Sequence, residues 1–170
     1  MAALEILHYP DERLRQPCLP GTAVTAETAR LIDDMLETMY GAQGVGLAAP
    51  QVDHHIRLLV IDVSEDRSAP VALINPEITE AEGEQEGDEG CLSVPGVFEP
   101  VTRAAAVTVR YTDRDGNAQE GHFEGLAARA VQHELDHLDG KLFVDYLSKL
   151  KRSRVRKKME KDKRLQVESA

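Results

Sequence analysis

Residues 125–138 read GLAARAVQHELDHL, and the arrangement of the rest of the chain follows from this stretch. Its length and apolar content predict a buried helix. Residues four apart on a helix share one face about a turn apart, so His133 and His137 can place two imidazole nitrogens on one divalent ion. Glu134, next to the first histidine, can reach a water on that ion. This is the H-E-x-x-H arrangement, in which the glutamate acts as general base. Five residues are a short pattern, and an amphipathic patch with two unrelated histidines would read the same way.

A catalytic centre needs a third protein ligand and one open position. Cys91 is the strongest candidate. It lies in EGCLS at 89–93, where small neighbours permit close backbone approach to a substrate and a bound ion would stabilise a thiolate. A free cysteine is more often a small buried apolar residue. His8, His54, His55 and His122 are rival ligands, none of them in a comparable loop. Cys18, beside Pro17, has no partner nearby in sequence and reads as inert.

The segment GVGLAAPQ at 44–51 has two readings. Its G-x-G-x-x-A pattern resembles a dinucleotide fingerprint, which should follow a strand and open a helix. Here it follows a helix and runs into Pro50 and a strand, so that reading fails. The alternative is open backbone that pairs with an extended substrate. Gln51 closes the segment with a neutral amide, which can donate to an oxyanion without competing for metal.

Working outward, Thr25 opens a helical pattern with Leu31, Met35, Leu36 and Met39 on one face. Its cap is partial, since Thr28 stands where a capping box has Glu. Gly41 and Gly44 end that helix. Residues 11–20 read as irregular, and 44–51 as too rich in Gly and Ala for a packed strand. Strands are predicted at 56–63, 71–75, 101–111 and 118–123, with Asp115-Gly116 as a hairpin turn. The carboxylate-rich residues 80–90 read as an exposed loop or edge. Residues 149–165 read as a basic helix. Strands in the middle with helices at the ends make an α+β pattern rather than alternating βαβ units.

A chain of 170 residues with 29% charged and 42% hydrophobic residues reads as a single soluble domain, able to bury about 70% of its extended surface. No window approaches the roughly 20 apolar residues that span a bilayer, and no basic start followed by an apolar run marks a signal peptide. Two cysteines make no disulfide framework, which suits a reducing, cytoplasmic setting. Charge is uneven. Residues 149–170 carry 10 Lys/Arg against 3 Asp/Glu, and the rest of the chain 10 against 27. An acidic body argues against nucleic-acid binding by the body itself.

GVGLAAPQ, EGCLS and HELDH, in this order, resemble the three motifs of the peptide deformylase family. ILHYPDERLR near the N-terminus and LFVDYLSKLKR near the C-terminus resemble its bacterial members. The resemblance covers nearly the whole chain. It implies a hydrolase that removes the formyl group from the N-terminal formyl-methionine of nascent polypeptides. It implies Cys91, His133 and His137 as ligands of one divalent ion, physiologically Fe2+, with Zn2+, Ni2+ or Co2+ able to occupy the site. Glu134 matches the general acid/base. Gln51 and the Leu92 N–H match the oxyanion donors, and Val45, Gly46 and Gly90 match backbone positions that bind the peptide. The implied fold is the family's α+β fold, three small sheets around the motif helix plus a C-terminal helix. Residues 1–148 would be the catalytic domain and 149–170 its basic helix and tail, in a monomer with no membrane partner.

Arg129 and Phe98 depart from the family pattern. Arg129 sits one turn before His133, where relatives often carry an apolar residue of the methionine pocket. Either it snorkels to water or the pocket has a more polar rim. Phe98 stands where some relatives carry a charge. Arg103 and Asp136 would pair beside the motif helix, or lie apart as two surface charges. The basic helix would dock on ribosomal RNA or simply be solvated. Two other classes compete with the deformylase reading. One is a zinc metallopeptidase, disfavoured by a cysteine ligand; the other is a ribosome-binding module with a structural metal, which would need a fourth protein ligand.

Overall fold

The computed structural model describes residues 3–169, with side chains through Leu165. Two sheets and three α-helices make up the fold. The helices are α1 (Ala26–Gly41), α2 (Gly125–Leu138) and α3 (Lys149–Ser169); the strands are β1 (Gly46–Ala48), β2 (Leu58–Ile61), β3 (Val71–Glu82), β4 (Gln85–Cys91), β5 (Val94–Arg103), β6 (Ala106–Thr112) and β7 (Ala118–Glu124). The larger sheet has the order β1-β2-β3-β6-β7, and β4-β5 form a separate hairpin. All five pairings are antiparallel. The fold is α+β, with two sheets rather than the three that the resemblance implied.

β2 explains the layering. All four of its residues are buried. Leu58 and Val60 pack in a cluster with Ile32, Met35 and Met39 of α1, whereas Leu59 and Ile61 pack with Ala128, Val131 and Leu135 of α2. Alternate side chains of a strand point to opposite faces, so α1 covers one face of the large sheet and α2 the other. A third cluster joins β5 residues Val94, Val97 and Val101 to Phe143, to the N-terminal Leu7 and Tyr9, and to Val155 and Met159 of α3. Those two α3 residues, four apart, are the helix's buried anchor.

Several expectations need correction. Thr25 and Thr28 form a complete reciprocal capping box, each side chain accepting from the other's N–H, so a hydroxyl serves where Glu is usual. Residues 46–48 do form a strand, paired with β2; Leu47 packs in the cluster with α1 and Ala48 in the cluster with α2. β3 runs through Pro76 instead of stopping at Asn75. A register shift lies there, and Asn75 adopts φ 51°, a bulge that absorbs the proline's missing donor. Residues 80–90 belong largely to β3 and β4. In β4, Glu86 and Asp88 face solvent while Gln85, Gly87 and Glu89 turn inward. The inward face carries polar groups, so hydropathy does not reveal the strand. The stretch 101–111 is divided at Ala104–Ala105, where the chain leaves the hairpin for the large sheet. Within 11–20, Glu12–Arg15 form a 3₁₀ turn.

Candidate metal centre and active site

Helix α2 is pinned between the large sheet and the β4-β5 hairpin, so both sides of its last two turns are buried. Cys91 ends β4 and is followed by the turn residues Leu92 and Ser93, with Val94 paired back across it. This turn brings the sulfur to the histidines. One potential ligand atom from each of Cys91, His133 and His137 lies within 4.8 Å of the other two. Cys91 Sγ is 3.4 Å from His137 Nε2, close to the separation of about 3.5 Å between a sulfur and a nitrogen bound tetrahedrally to one zinc-sized ion. The sulfur also accepts hydrogen bonds from the Ser93 N–H at 3.4 Å and the Gln51 amide at 3.5 Å.

The histidines are oriented differently. His133 Nδ1 lies 2.8 Å from Glu89 Oε1. Burial would raise the pKa of Glu89, but hydrogen bonds from Arg103 and His133 bring it down to about 2. An ionised carboxylate only accepts, so Nδ1 carries the proton, and a bound ion would take the place of any proton on Nε2. His137 is fully buried, and its Nδ1 has no partner among the described residues. Burial and the neighbouring His133 push its pKa well below the usual range, which favours the neutral imidazole that a metal requires. Around His133 the opposite field prevails. Burial opposes its charge, but Glu134 and Cys91 outweigh this and favour positive charge. Soft sulfur and imidazole donors in an electronegative surround fit a borderline divalent ion.

Glu134 is buried, and burial pushes its pKa up to about 7. Its Oε1 has no hydrogen-bond partner among the described residues. Gly46 of β1 lies directly against this carboxylate: a Cβ on Gly46 would come 2.5 Å from Oε2. Gln51 is held at both ends, Oε1 accepting from the Ala48 N–H at 2.9 Å and Nε2 donating to Ser93 Oγ at 3.0 Å. The opening above these groups is a cleft of about 760 Å³ lined by Val45, Gly46, Gln51, Gly90, Leu92, Phe98, Leu126 and Arg129, with His133 and Glu134 at its base. β1 is an edge of the large sheet, so no strand pairs with its outer side, and Val45 and Gly46 line the cleft there.

Eight of the nine residues singled out in the sequence therefore line one cleft, and the ninth, His137, lies fully buried behind Cys91. Of the rival ligands, His55 bonds the Arg13 carbonyl, His122 lies beside Glu124 and Thr108, His54 is exposed, and His8 is exposed at the cleft rim. Cys18 is buried, and burial pushes its thiol up to about 11.

Sequence reasoning missed Glu89 and Ser93. The usable signal for Glu89 was chemical: a metal-binding histidine nearly always donates its second N–H to a carboxylate or carbonyl. Arg129 was misjudged. It neither snorkels nor makes the cleft rim polar; it is buried and bonds Glu89 Oε2 at 2.6 Å and the Val101 carbonyl at 3.0 Å. Arg103 and Asp136 do pair, at 2.6 Å.

Comparison with known proteins gives the chain's family and fold. Residues 3–153 match the polypeptide deformylase family model. A peptide deformylase of Nitrosococcus oceani is 59% identical over 97% of this chain and 99% of its own. The crystal structure of a peptide deformylase from Legionella pneumophila superposes with a TM-score of 0.92 at 51% identity, covering 98% of both chains. That of Ehrlichia chaffeensis peptide deformylase in complex with actinonin superposes at 0.93 with 40% identity, over 96% of this chain and 99% of the other. With its three motif segments gathered round one cluster of a half-buried cysteine and two buried histidines, the chain belongs to the polypeptide deformylase family.

Proposed function

We propose that Cys91, His133 and His137 hold the catalytic ion, and that Glu134 moves the proton in hydrolysis of the N-formyl group of formyl-methionyl peptides. Deformylation is the activity of the family to which the chain belongs. The observation that carries the residue assignment is the convergence of three potential ligand atoms within 4.8 Å, beside a buried carboxylate oxygen with no partner among the described residues. An ion held there would polarise the formyl carbonyl and lower the pKa of its attacking water toward neutrality.

The chain's own residues supply the rest. Glu134, with a pKa near 7, is matched to take a proton from water and return it to the leaving nitrogen at neutral pH. The Gln51 amide and the Leu92 N–H are assigned to the developing oxyanion. Their position matters because preorganised donors in a dry site cost no reorganisation during reaction. The edge of β1 at Val45 and Gly46, with Gly90 of β4 opposite, is assigned to pair with the extended peptide in the manner of an added strand. Phe98 and Leu126, both exposed at the cleft, offer apolar contact to a methionine-like side chain.

Ferrous iron is the ion we assign, with zinc, nickel and cobalt fitting the same donors. Two free cysteines suit a cytoplasmic monomer working on nascent chains. No helix among the described residues is long and apolar enough to cross a membrane. The basic helix α3 is assigned to ribosome docking.

The test is formate release from formyl-Met-Ala-Ser by anaerobically purified protein, with metal content measured on the same sample. Rapid, metal-proportional release is expected. Cleavage of internal peptide bonds without formate release would point to a metallopeptidase instead.

A further inference from the structure

We propose that Arg129 is a positioning residue for the metal centre, acting through Glu89 to fix the orientation of His133. This rests on the reading of Cys91, His133 and His137 as metal ligands. Leu126, Arg129, Ala130 and His133 line the cleft from one face of α2. An arginine on such a face would ordinarily present a free cation to the substrate. Here its donors are taken up inward. Nη1 donates to Glu89 Oε2 at 2.6 Å and to the Val101 carbonyl at 3.0 Å, and Nη2 donates to the Gln85 carbonyl at 3.3 Å. The side chain is only 8% exposed.

Glu89 is the hub. Its Oε1 receives His133 Nδ1 and Arg103 Nη2, each at 2.8 Å; its Oε2 receives Arg103 Nε at 2.8 Å as well as Arg129. Four donors match the four lone-pair sites of a carboxylate. The two guanidiniums approach with different anchors. Arg103 is tied to Asp136 at 2.6 Å and lies over the Tyr146 ring at 4.8 Å. Arg129 is tied to the backbone of β4 and β5. It therefore links α2, one turn before His133, to the hairpin that carries Cys91. Without it, Glu89 would keep one bidentate partner but lose its second anchor, and the carboxylate could swing with Arg103 and turn the imidazole with it.

Charge supports the same conclusion. Glu89 and Asp136 are balanced in this network by Arg103 and Arg129. Removing one cation leaves a buried, uncompensated negative charge. The hairpin is shaped to receive the guanidinium: a Cβ on Gly87 would stand 3.3 Å from Arg129 Nη2.

The test is the rate of zinc release to excess chelator at 20 °C, comparing zinc-loaded wild-type protein with Arg129→Met and Arg129→Lys. Methionine keeps an unbranched stem and removes every donor; lysine keeps the charge and can reach Glu89 but not both carbonyls. Release is expected to be about 10–100-fold faster in Arg129→Met, with Arg129→Lys in between. A purely structural residue would lower the melting temperature and leave release well below that temperature unchanged. Wild-type release from Arg129→Met overturns the inference, as does wild-type release from Arg129→Lys should the methionine variant fail to fold. A wild-type protein that takes up no zinc overturns the metal-centre reading, and this inference with it.

Discussion

Gly46 presses its α-carbon so closely against the Glu134 carboxylate that a Cβ there would stand 2.5 Å from Oε2. Helix α2 places Glu134 beside the Cys/His/His cluster, but the edge strand β1 determines how its carboxylate lies. Gly46→Ala must displace either the strand or the carboxylate. We expect turnover to fall at least about tenfold, the loss associated with misplacing a reacting group by about an ångström. Gly41→Ala, with open space around its Cβ position, is the control and should keep full activity. Initial rates of formate release, read beside melting temperatures, distinguish a displaced carboxylate from general destabilisation.

Glu134→Gln removes the proton carrier and keeps its shape. The variant should retain metal at wild-type stoichiometry while turnover falls by roughly 10²–10⁴. Elemental analysis and steady-state rates on one preparation check both halves. Near-normal turnover would remove Glu134 from its assigned role.

Gln51→Ala should lose about 10²–10³ in kcat, the usual loss for one oxyanion donor. Ser93→Ala leaves the amide in place but removes its 3.0 Å partner, so a smaller loss, about tenfold, is expected from looser orientation. A Ser93→Ala loss equal to that of Gln51→Ala would mean that Ser93 acts directly rather than by holding Gln51.

Away from the site, Asp145 joins Arg15 at 2.6 Å and accepts the Leu142 N–H at 3.1 Å. Burial would raise its pKa, but these partners lower it below the ordinary 3.8. A carboxyl whose folded pKa is depressed stabilises the fold above its unfolded pKa and loses that contribution as pH falls through the folded value. Wild-type stability should therefore decline below about pH 4, and Asp145→Asn should remove that part of the decline. At pH 7 the substitution should cost about 1 kcal/mol, since the pair is partly exposed. Urea melts at pH 7 and pH 3.5 measure both.

Arg154, Lys157 and Lys161 are exposed on α3, while Val155 and Met159 anchor it to the body. Reversing these three charges to Glu leaves the anchor intact. Co-sedimentation with ribosomes should be lost, and should weaken steeply with salt in the wild type, while tripeptide turnover is unchanged. Equal co-sedimentation of both proteins would rule out the docking role.

Local sequence was enough for several elements. The α2 boundaries, the Asp115-Gly116 hairpin and α3 follow from periodicity, turn chemistry and helix propensity, each set by neighbours a few residues away. The candidate metal cluster was legible because two of its residues lie four apart on that helix and the third in a recognisable loop. What failed shares one cause. β4 escaped detection because Glu89 on its inward face serves His133 and the two arginines instead of an apolar core. The break at Ala104–Ala105 escaped because the strand pattern continues while its pairing partner changes.

The sequence by itself determined that His133 and His137 share one face of a helix, because spacing along a helix converts directly into side-chain direction. Only the tertiary structure decided that Glu89, Arg103, Arg129 and Asp136 form one buried network, and that Gly46 bears on Glu134. A charged residue lowers its energy by finding any compensating partner, and which partner it meets depends on how the hairpin, the edge strand and the helix pack, a relation between segments that no local pattern encodes.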